Sequence, residues 1–156
     1  MYSTIVLAYD GSLEGRLALR EGARLAQICH ARVVLVAVVE PFSEAFVGDF
    51  GSIHIPVDKT DDVQTILDEG IARLKRMGLV PEARLERGQP SERIKSVAED
   101  VGADLVVVGH HKQGALARWL VGSVTASLSD TLSCSLLVAR MDIAEDVLFE
   151  TAASPG

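Results

Sequence analysis

The sequence predicts an α/β fold in which one domain contains a five-stranded parallel sheet with helices on both faces. Short aliphatic runs alternate with segments of helical periodicity along the chain, which is the pattern of β-α-β units. The composition agrees with this, because 48% of the residues are hydrophobic but only 4% are aromatic. Crossovers in such a sheet are right-handed, and ligand sites lie at the carboxyl ends of the strands.

The first two strands and the helix between them are predicted from residues 4–39. Residues 4–9 (TIVLAY) form an apolar run that ends at a turn, Asp10-Gly11-Ser12, and Ser12 has the chemistry of a helix cap. Small and apolar residues then recur at helical spacing as far as His30. Residues 32–39 (RVVLVAVV) are almost continuously aliphatic, as expected for a strand buried on both faces.

Three more helices and three more strands are predicted after residue 58. Acidic residues in the first turn and Gly78 at the end favour a helix over 60–77, and Pro90 favours the start of the next helix. The weakest strand signal is EARLER, at residues 82–87. The predicted elements are helices over 60–77, 90–101 and 122–132, and strands over 82–87, 104–109 and 135–139.

The segment from Phe42 to Pro56 is predicted to be a long loop, because its hydrophobic pattern is irregular and it contains two glycines and ends in a proline. Phe42, Phe46 and Phe50 are spaced by four residues, which allows a short helical turn at best. Three interpretations are open for these phenylalanines: simple anchoring of the loop, a lid over a ligand, or a dimer contact.

Charge and composition exclude several classes of protein. A net charge of −7 argues against nucleic-acid binding, which depends on basic charge. No apolar run has the length of about 20 residues that a membrane span needs, and no basic leader precedes the first strand. We therefore expect a cytoplasmic protein that does not enter membranes. Cys29 and Cys134 show no disulfide or metal spacing and are expected to be reduced core residues.

The domain is expected to cover residues 1–140 and to be followed by an acidic tail over 141–156. In this tail, Ile143 to Phe149 is the only stretch with the pattern of a short helix. The end of the tail, Ala-Ala-Ser-Pro-Gly, is predicted to fray.

The chemistry of the chain is concentrated between Gly109 and Thr125, which read GHHKQGALARWLVGSVT. The segment opens at the end of a predicted buried strand and closes at the start of a helix, where free backbone N–H groups and glycine favour phosphate binding. Residues 105–129 contain no Asp or Glu, so this part of an acidic chain is locally cationic. The pattern predicts a phosphate site there, next to Asp10 at the end of the first strand.

Each feature of this segment also has a simpler interpretation. Gly109 and Gly122 would merely end a strand and start a helix, and Asp10 would be an ordinary turn or capping carboxylate. His110 and His111 do not predict a zinc site, because no further ligand lies at suitable spacing nearby. Trp119 is expected to pack beneath the loop or at a subunit contact rather than to stack on a base.

The chain resembles the universal stress protein family over nearly the whole domain, through IVLAYDGS, DLVVVG, LVGSVT and CSLLVAR. The nucleotide-binding members of that family carry Gly-x-x-Gly, nine residues, and then Gly-Ser or Gly-Thr. Gly109, Lys112, Gly122 and Ser123 stand at those positions, so a lysine replaces the second glycine. The Lys112 side chain would either obstruct the close approach of a phosphate or contact it directly through its ammonium group.

The resemblance implies a Rossmann-like domain with an adenine-nucleotide site. It implies that Asp10 faces the ribose or a phosphate-bound Mg²⁺ and that Val38 packs near the adenine. It further implies contacts to the base and phosphates from Val108, Gly109, Lys112, Gly122, Ser123 and Val124.

Three functions are compatible with the sequence. The first is an ATP-binding regulatory stress protein, homodimeric by resemblance, that binds ATP, ADP or AMP with Mg²⁺. The second is a nucleotide-free dimeric scaffold of the same family. The third is a slow ATP-hydrolysing or adenylate-handling enzyme, although the sequence has no catalytic triad order or complete Walker motif. We expect no dedicated catalytic residues.

Overall fold

We describe a computed structural model of the chain over residues 1–41, 45–46, 52–53, 58–110 and 121–140. Its strands are β1 (Thr4–Ala8), β2 (Arg32–Val39), β3 (Ala45–Phe46), β4 (Ser52–Ile53), β5 (Glu82–Arg87), β6 (Leu105–Gly109) and β7 (Ser135–Ala139). Its helices are α1 (Leu13–Cys29), α2 (Thr60–Arg76), α3 (Pro90–Val101) and α4 (Val121–Thr131).

The main sheet has five parallel strands in the order β5-β2-β1-β6-β7. This confirms the predicted fold class, and the predicted elements agree with the observed ones to within a residue or two at their ends. The chain moves outward from β1 through β2 to β5, and it returns to the other side of β1 for β6 and β7. The order therefore reverses between β1 and β6, which form the switch point of the sheet.

Two apolar layers cover the two faces of this sheet. On one face, α1 and α2 pack against alternate strand residues, including Ile5, Leu7 and Leu35. On the other face, Val6 and Val34 pack with residues of α3 and α4. Because side chains alternate across a strand, only continuous aliphatic runs can supply both layers. The central strands β1, β2 and β6 are accordingly buried along most of their length.

Local signals fix the ends of the helices as the sequence predicts. The Ser12 hydroxyl accepts a hydrogen bond of 3.0 Å from the backbone N–H of Gly15, which caps α1. Pro90 is the first residue of α3, where a missing N–H costs nothing. Gly102 ends α3 in the left-handed region, with a φ of 64°.

Two expectations need correction. The predicted loop contains a short antiparallel ribbon, because Ala45 pairs with Ile53 and Phe46 pairs with Ser52. The helical turn that the phenylalanine spacing allows is thus replaced at Phe46 by a strand, while Phe42 and Phe50 lie outside the described residues.

The second correction concerns the cysteines. Both are free thiols, as predicted, but they are only partly buried rather than in the core. Cys29 is the last residue of α1. Cys134 packs at the margin of the layer that α3 and α4 form, and burial raises the pKa of its thiol. The acidic tail and its predicted helix lie outside the described residues.

Candidate functional site

The candidate site lies at the carboxyl edge of the sheet, on both sides of the switch point. Asp10 follows the end of β1, and Gly109 is the last residue of the neighbouring strand β6. Residues 5–7 of β1 pair in register with residues 105–107 of β6, so these two strands end side by side. In open parallel sheets, ligands bind in the crevice that forms where the strand order reverses.

Asp10 is a buried carboxylate, with 5% of its surface exposed. Its Oδ1 atom accepts hydrogen bonds from the backbone N–H of Ser12, at 3.0 Å, and from the Ser12 hydroxyl, at 2.5 Å. These two bonds close the turn between β1 and α1, in the manner of an Asx-turn. The capping role of Ser12 was predicted, whereas its donation to Asp10 was missed.

Gly109 is held by the first turn of α1. A Cβ atom on Gly109 would lie 2.6 Å from the carbonyl oxygen of Glu14 and 2.9 Å from the backbone nitrogen of Gly15. A Cβ atom on Gly15 would in turn lie 2.7 Å from Oδ1 of Asp10. The two glycines thus allow one helical turn to pack between Asp10 and the end of β6. Gly15 was not among the predicted site residues, although its spacing in DGSxxG could have indicated it.

The three valines that the family resemblance assigns to the site share the other face of the sheet. Val38, Val108 and Val124 all belong to the apolar layer that β1, β2, β6, α3 and α4 form, and each is at most 8% exposed. Val38 lies near the end of β2 and Val108 near the end of β6. Their positions suit an apolar wall near the carboxyl edge, and they are also ordinary core positions.

The second half of the predicted phosphate segment begins with α4. Gly122 and Ser123 lie in the first turn of this helix, whose first residue is Val121. Helix α4 is anchored by Leu128, which is fully buried against the sheet. Lys112 and His111 lie outside the described residues, so their predicted roles stay predictions.

A further carboxylate at this edge was missed by the sequence analysis. Glu40 directly follows β2 and is partly buried. Burial raises the pKa of its carboxyl group, and the positive charge of Lys59 opposes this effect. Its position after a buried strand is the same signal that singled out Asp10.

The described residues contain no group of three or more His, Cys, Asp or Glu side chains that could hold a metal ion. Among the described residues, Asp10 therefore has no cluster of partners with which to hold a metal ion. No helix in the described ranges is long and apolar enough to cross a membrane.

The model of the universal stress protein family matches residues 1–140. This chain belongs to that family. Universal stress protein Sll1654 of Synechocystis sp. is 30% identical over 138 residues, which cover 88% of this chain and 85% of that relative.

Solved universal stress proteins share its fold. A family member from Burkholderia pseudomallei is 29% identical with a TM-score of 0.66, and the match covers 88% of this chain and 95% of that one. A universal stress protein solved in complex with cAMP is 26% identical with a TM-score of 0.67, and the match covers 88% and 96% of the two chains.

Proposed function

We propose that this universal stress protein is a regulatory module that binds an adenine nucleotide, with ATP as the expected ligand, at the switch point between β1 and β6. The observation that carries the proposal is the meeting of Asp10, Gly109 and the first turn of α1 at that point. A related family member solved with cAMP supports the adenine-nucleotide class. In this proposal the protein acts in the cytoplasm as a homodimer, and nucleotide occupancy changes its affinity for partner proteins.

The residues at this edge fit a nucleotide. The first turn of α4 contains Gly122 and Ser123, and helix amino termini offer N–H groups and partial positive charge to phosphates. Val38 and Val108, which lie in the apolar layer near the ends of β2 and β6, would contact the base. Lys112 would meet the phosphates from the segment between β6 and α4. Mg²⁺ would be held by the phosphates with Asp10, and it would neutralise phosphate charge near that buried carboxylate.

A nucleotide-free scaffold is the second candidate, and a specific observation favours it. Oδ1 of Asp10 already accepts two hydrogen bonds within its own turn, and Gly109 is required by the backbone of α1. Both residues therefore have structural reasons to be present without any ligand. In this alternative, Lys112 marks a site that no longer binds nucleotide.

The two candidates are separated by the small molecules that copurify with the protein. We expect denatured protein, purified without added nucleotide, to release an adenine nucleotide that mass spectrometry identifies. We also expect ATP-Mg to give a saturable signal in a calorimetric titration. Absence of both signals at millimolar ATP-Mg would support the scaffold. Phosphate release that vanishes in Asp10→Ala would instead support an ATP-hydrolysing enzyme.

Lys112 gives a second test of the same site. Lys112→Gly should tighten ATP binding if the side chain obstructs the phosphate, and weaken it if the ammonium contacts the phosphate. Lys95→Gly on α3 is a control for the loss of one positive charge, although the new glycine also weakens the helix by about 1 kcal/mol. An unchanged ATP affinity in Lys112→Gly would contradict both roles for the lysine.

A further inference from the structure

A groove of about 460 Å³ lies between α1 and α2, on the outer side of one helical layer. Its lining does not include Asp10, Gly109 or any residue of α4, although Leu13 and Arg16 belong to the same first turn of α1 that packs at the candidate nucleotide site. The apolar part of its wall consists of Leu13, Leu17, Leu19 and Met77. Leu13 is 41% exposed, so the groove presents apolar surface to solvent. Its volume is in the usual range for small-molecule sites, about 300–1,000 Å³.

Four arginines complete the lining of this groove. Arg16 and Arg20 come from α1, and Arg73 and Arg76 come from α2. Positions 16 and 20 are one turn apart, as are 73 and 76, so each pair lies on one side of its helix. The pairing of α1 with α2 brings both sets together, which the local sequence patterns did not predict.

The nearby carboxylates do not balance these arginines. Oε1 of Glu69 is shared by Arg16, at 3.1 Å, and by Arg73, at 2.8 Å. Burial alone would raise the pKa of Glu69, but its hydrogen bond to Arg73 and the charges of both arginines hold that pKa below its ordinary value. A carboxylate kept ionised between two guanidinium groups still leaves one positive charge uncompensated.

A second glutamate, Glu21, also has one carboxylate oxygen that is shared by two arginines. Oε1 of Glu21 lies 3.2 Å from Arg20 and 3.7 Å from Arg24. For Arg76, no carboxylate of the described residues lies within ion-pair distance. The four arginines of the lining are therefore paired with only two glutamates, Glu69 and Glu21, in a chain whose net charge is −7. An excess of positive charge against the sign of the whole molecule indicates attraction for an anion.

A buried hydroxyl lies near the arginines and Glu69. Tyr9 is fully buried, and its hydroxyl interacts with the side chains of Arg16 and Glu69. Burial raises the pKa of this phenol, while Arg16 acts to lower it. The hydroxyl is therefore buried beside Arg16 and Glu69, and Tyr9 is not one of the residues that line the groove.

We propose that this groove binds an amphipathic carboxylate, namely an anion with an aliphatic body such as a medium-chain fatty acid. The guanidinium groups of Arg20 and Arg76 hold the carboxylate, because planar guanidinium forks match its two oxygens. The aliphatic body lies along Leu13, Leu17 and Met77. Charge selects the anion and the apolar wall selects against small inorganic ions, so the two parts of the lining together define the ligand class.

The test is a calorimetric titration of the full chain with decanoate at neutral pH, compared with decanol and acetate. Decanol has the same chain without the charge, and acetate has the charge without the chain. We expect decanoate to bind at least about tenfold more tightly than either, a difference of about 1.4 kcal/mol. Equal binding of decanol, or no saturable heat with millimolar decanoate, would overturn the proposal.

Charge variants test whether the groove itself is the binding site. Arg20→Gln combined with Arg76→Gln should weaken decanoate binding by about tenfold or more, as expected when charge-assisted hydrogen bonds are lost. The matched control is Arg93→Gln with Lys95→Gln on α3, which removes the same charge from the other face of the sheet. Equal weakening in the two double variants would overturn the proposal, because it would show a response to net charge alone. Circular dichroism melting curves verify that both variants fold.

Discussion

At the scale of single residues, the carboxyl edge depends on two short contacts around the first turn of α1. Gly109 touches the backbone of Glu14 and Gly15, and Asp10 touches the position where a Gly15 side chain would begin. The first of these contacts joins residues that are about a hundred positions apart in the chain, and the second lies within the turn between β1 and α1. They place the end of β6 and the end of β1 against one helical turn, which is the geometry the proposed nucleotide site needs.

Gly109→Ala is the most direct residue-scale test of this packing. The new Cβ would meet backbone atoms of α1, which cannot rotate away as a side chain does, so we expect a loss of about 1–3 kcal/mol in the free energy of unfolding. Urea denaturation measures this loss in the free energy of unfolding. The control is Gly102→Ala, where nothing lies within 4 Å and only the left-handed φ is strained, at about 1 kcal/mol. A smaller loss at position 109 than at 102 would contradict the contact.

A substitution at Ser12 tests a second residue-scale feature. The hydroxyl of Ser12 both caps α1 and donates a hydrogen bond to Asp10. Ser12→Ala should lower the free energy of unfolding by about 1–2 kcal/mol, the upper range for a helix cap. Ser3→Ala removes a hydroxyl from an exposed position and should change the same quantity by less than about 0.5 kcal/mol. Indistinguishable urea midpoints for the two variants would argue against the double role.

At the scale of elements, α4 connects the phosphate segment to the core through one fully buried side chain. Leu128→Ala should therefore cost about 2–5 kcal/mol, the range for truncating a buried leucine. Val80→Ala is the control, because Val80 is 87% exposed. Thermal and urea unfolding measure the stability of both variants. A small loss for Leu128→Ala would mean that α4 does not depend on this anchor for its position on the sheet.

At the opposite edge of the sheet, hydrogen bonds to Asp104 connect the start of β1 to the start of β6. Their contribution to stability depends on pH. The two carboxylate oxygens of Asp104 accept hydrogen bonds from the backbone N–H groups of Ser3, at 2.8 Å, and Thr4, at 3.1 Å. The bond from Ser3 is the main reason that the pKa of Asp104 lies below its ordinary value of 3.8. Stability from a lowered carboxyl pKa is present above the unfolded value, and it is lost as the pH falls through the folded value.

Asp104→Asn should accordingly be less stable than the native chain at neutral pH. The difference in the free energy of unfolding should begin to shrink as the pH falls below about 4, the unfolded-state pKa, and should disappear as the pH falls through the lower pKa of the native carboxylate. Chemical denaturation at a series of pH values measures this difference. Asp130→Asn, at an exposed position of α4, is the control. A difference that grows towards acid pH would contradict the link.

At the scale of the whole molecule, the sequence predicts the elements well because each one is specified locally. Continuous aliphatic runs define β1, β2 and β6, and caps and stops such as Ser12, Pro90 and Gly102 define the helices. The charged strand that was predicted at residues 82–87 is also confirmed, as β5. It lies at the edge of the sheet, a position that suits its alternating side chains.

Features that depend on contacts between residues far apart in the chain cannot be predicted from local sequence patterns. The packing of Gly109 against Glu14, the partial exposure of both cysteines and the arginine groove all require the order of strands and helices to be known. Sequence could single out Asp10 and Gly109 as site candidates, but it could not assign them a packing role. The three-dimensional arrangement shows which contacts give both residues a structural reason to be present.

The central claim is that an adenine nucleotide binds at the switch point between β1 and β6. Its most direct test follows the backbone amide resonances of the isotope-labelled full chain by NMR while ATP-Mg is added. We expect saturable shifts at residues 10–12, 109–110 and 121–124, and small shifts around Ser3 and Asp104 at the opposite edge. Absence of shifts at millimolar ATP-Mg, or saturable shifts confined to other parts of the chain, would contradict the account.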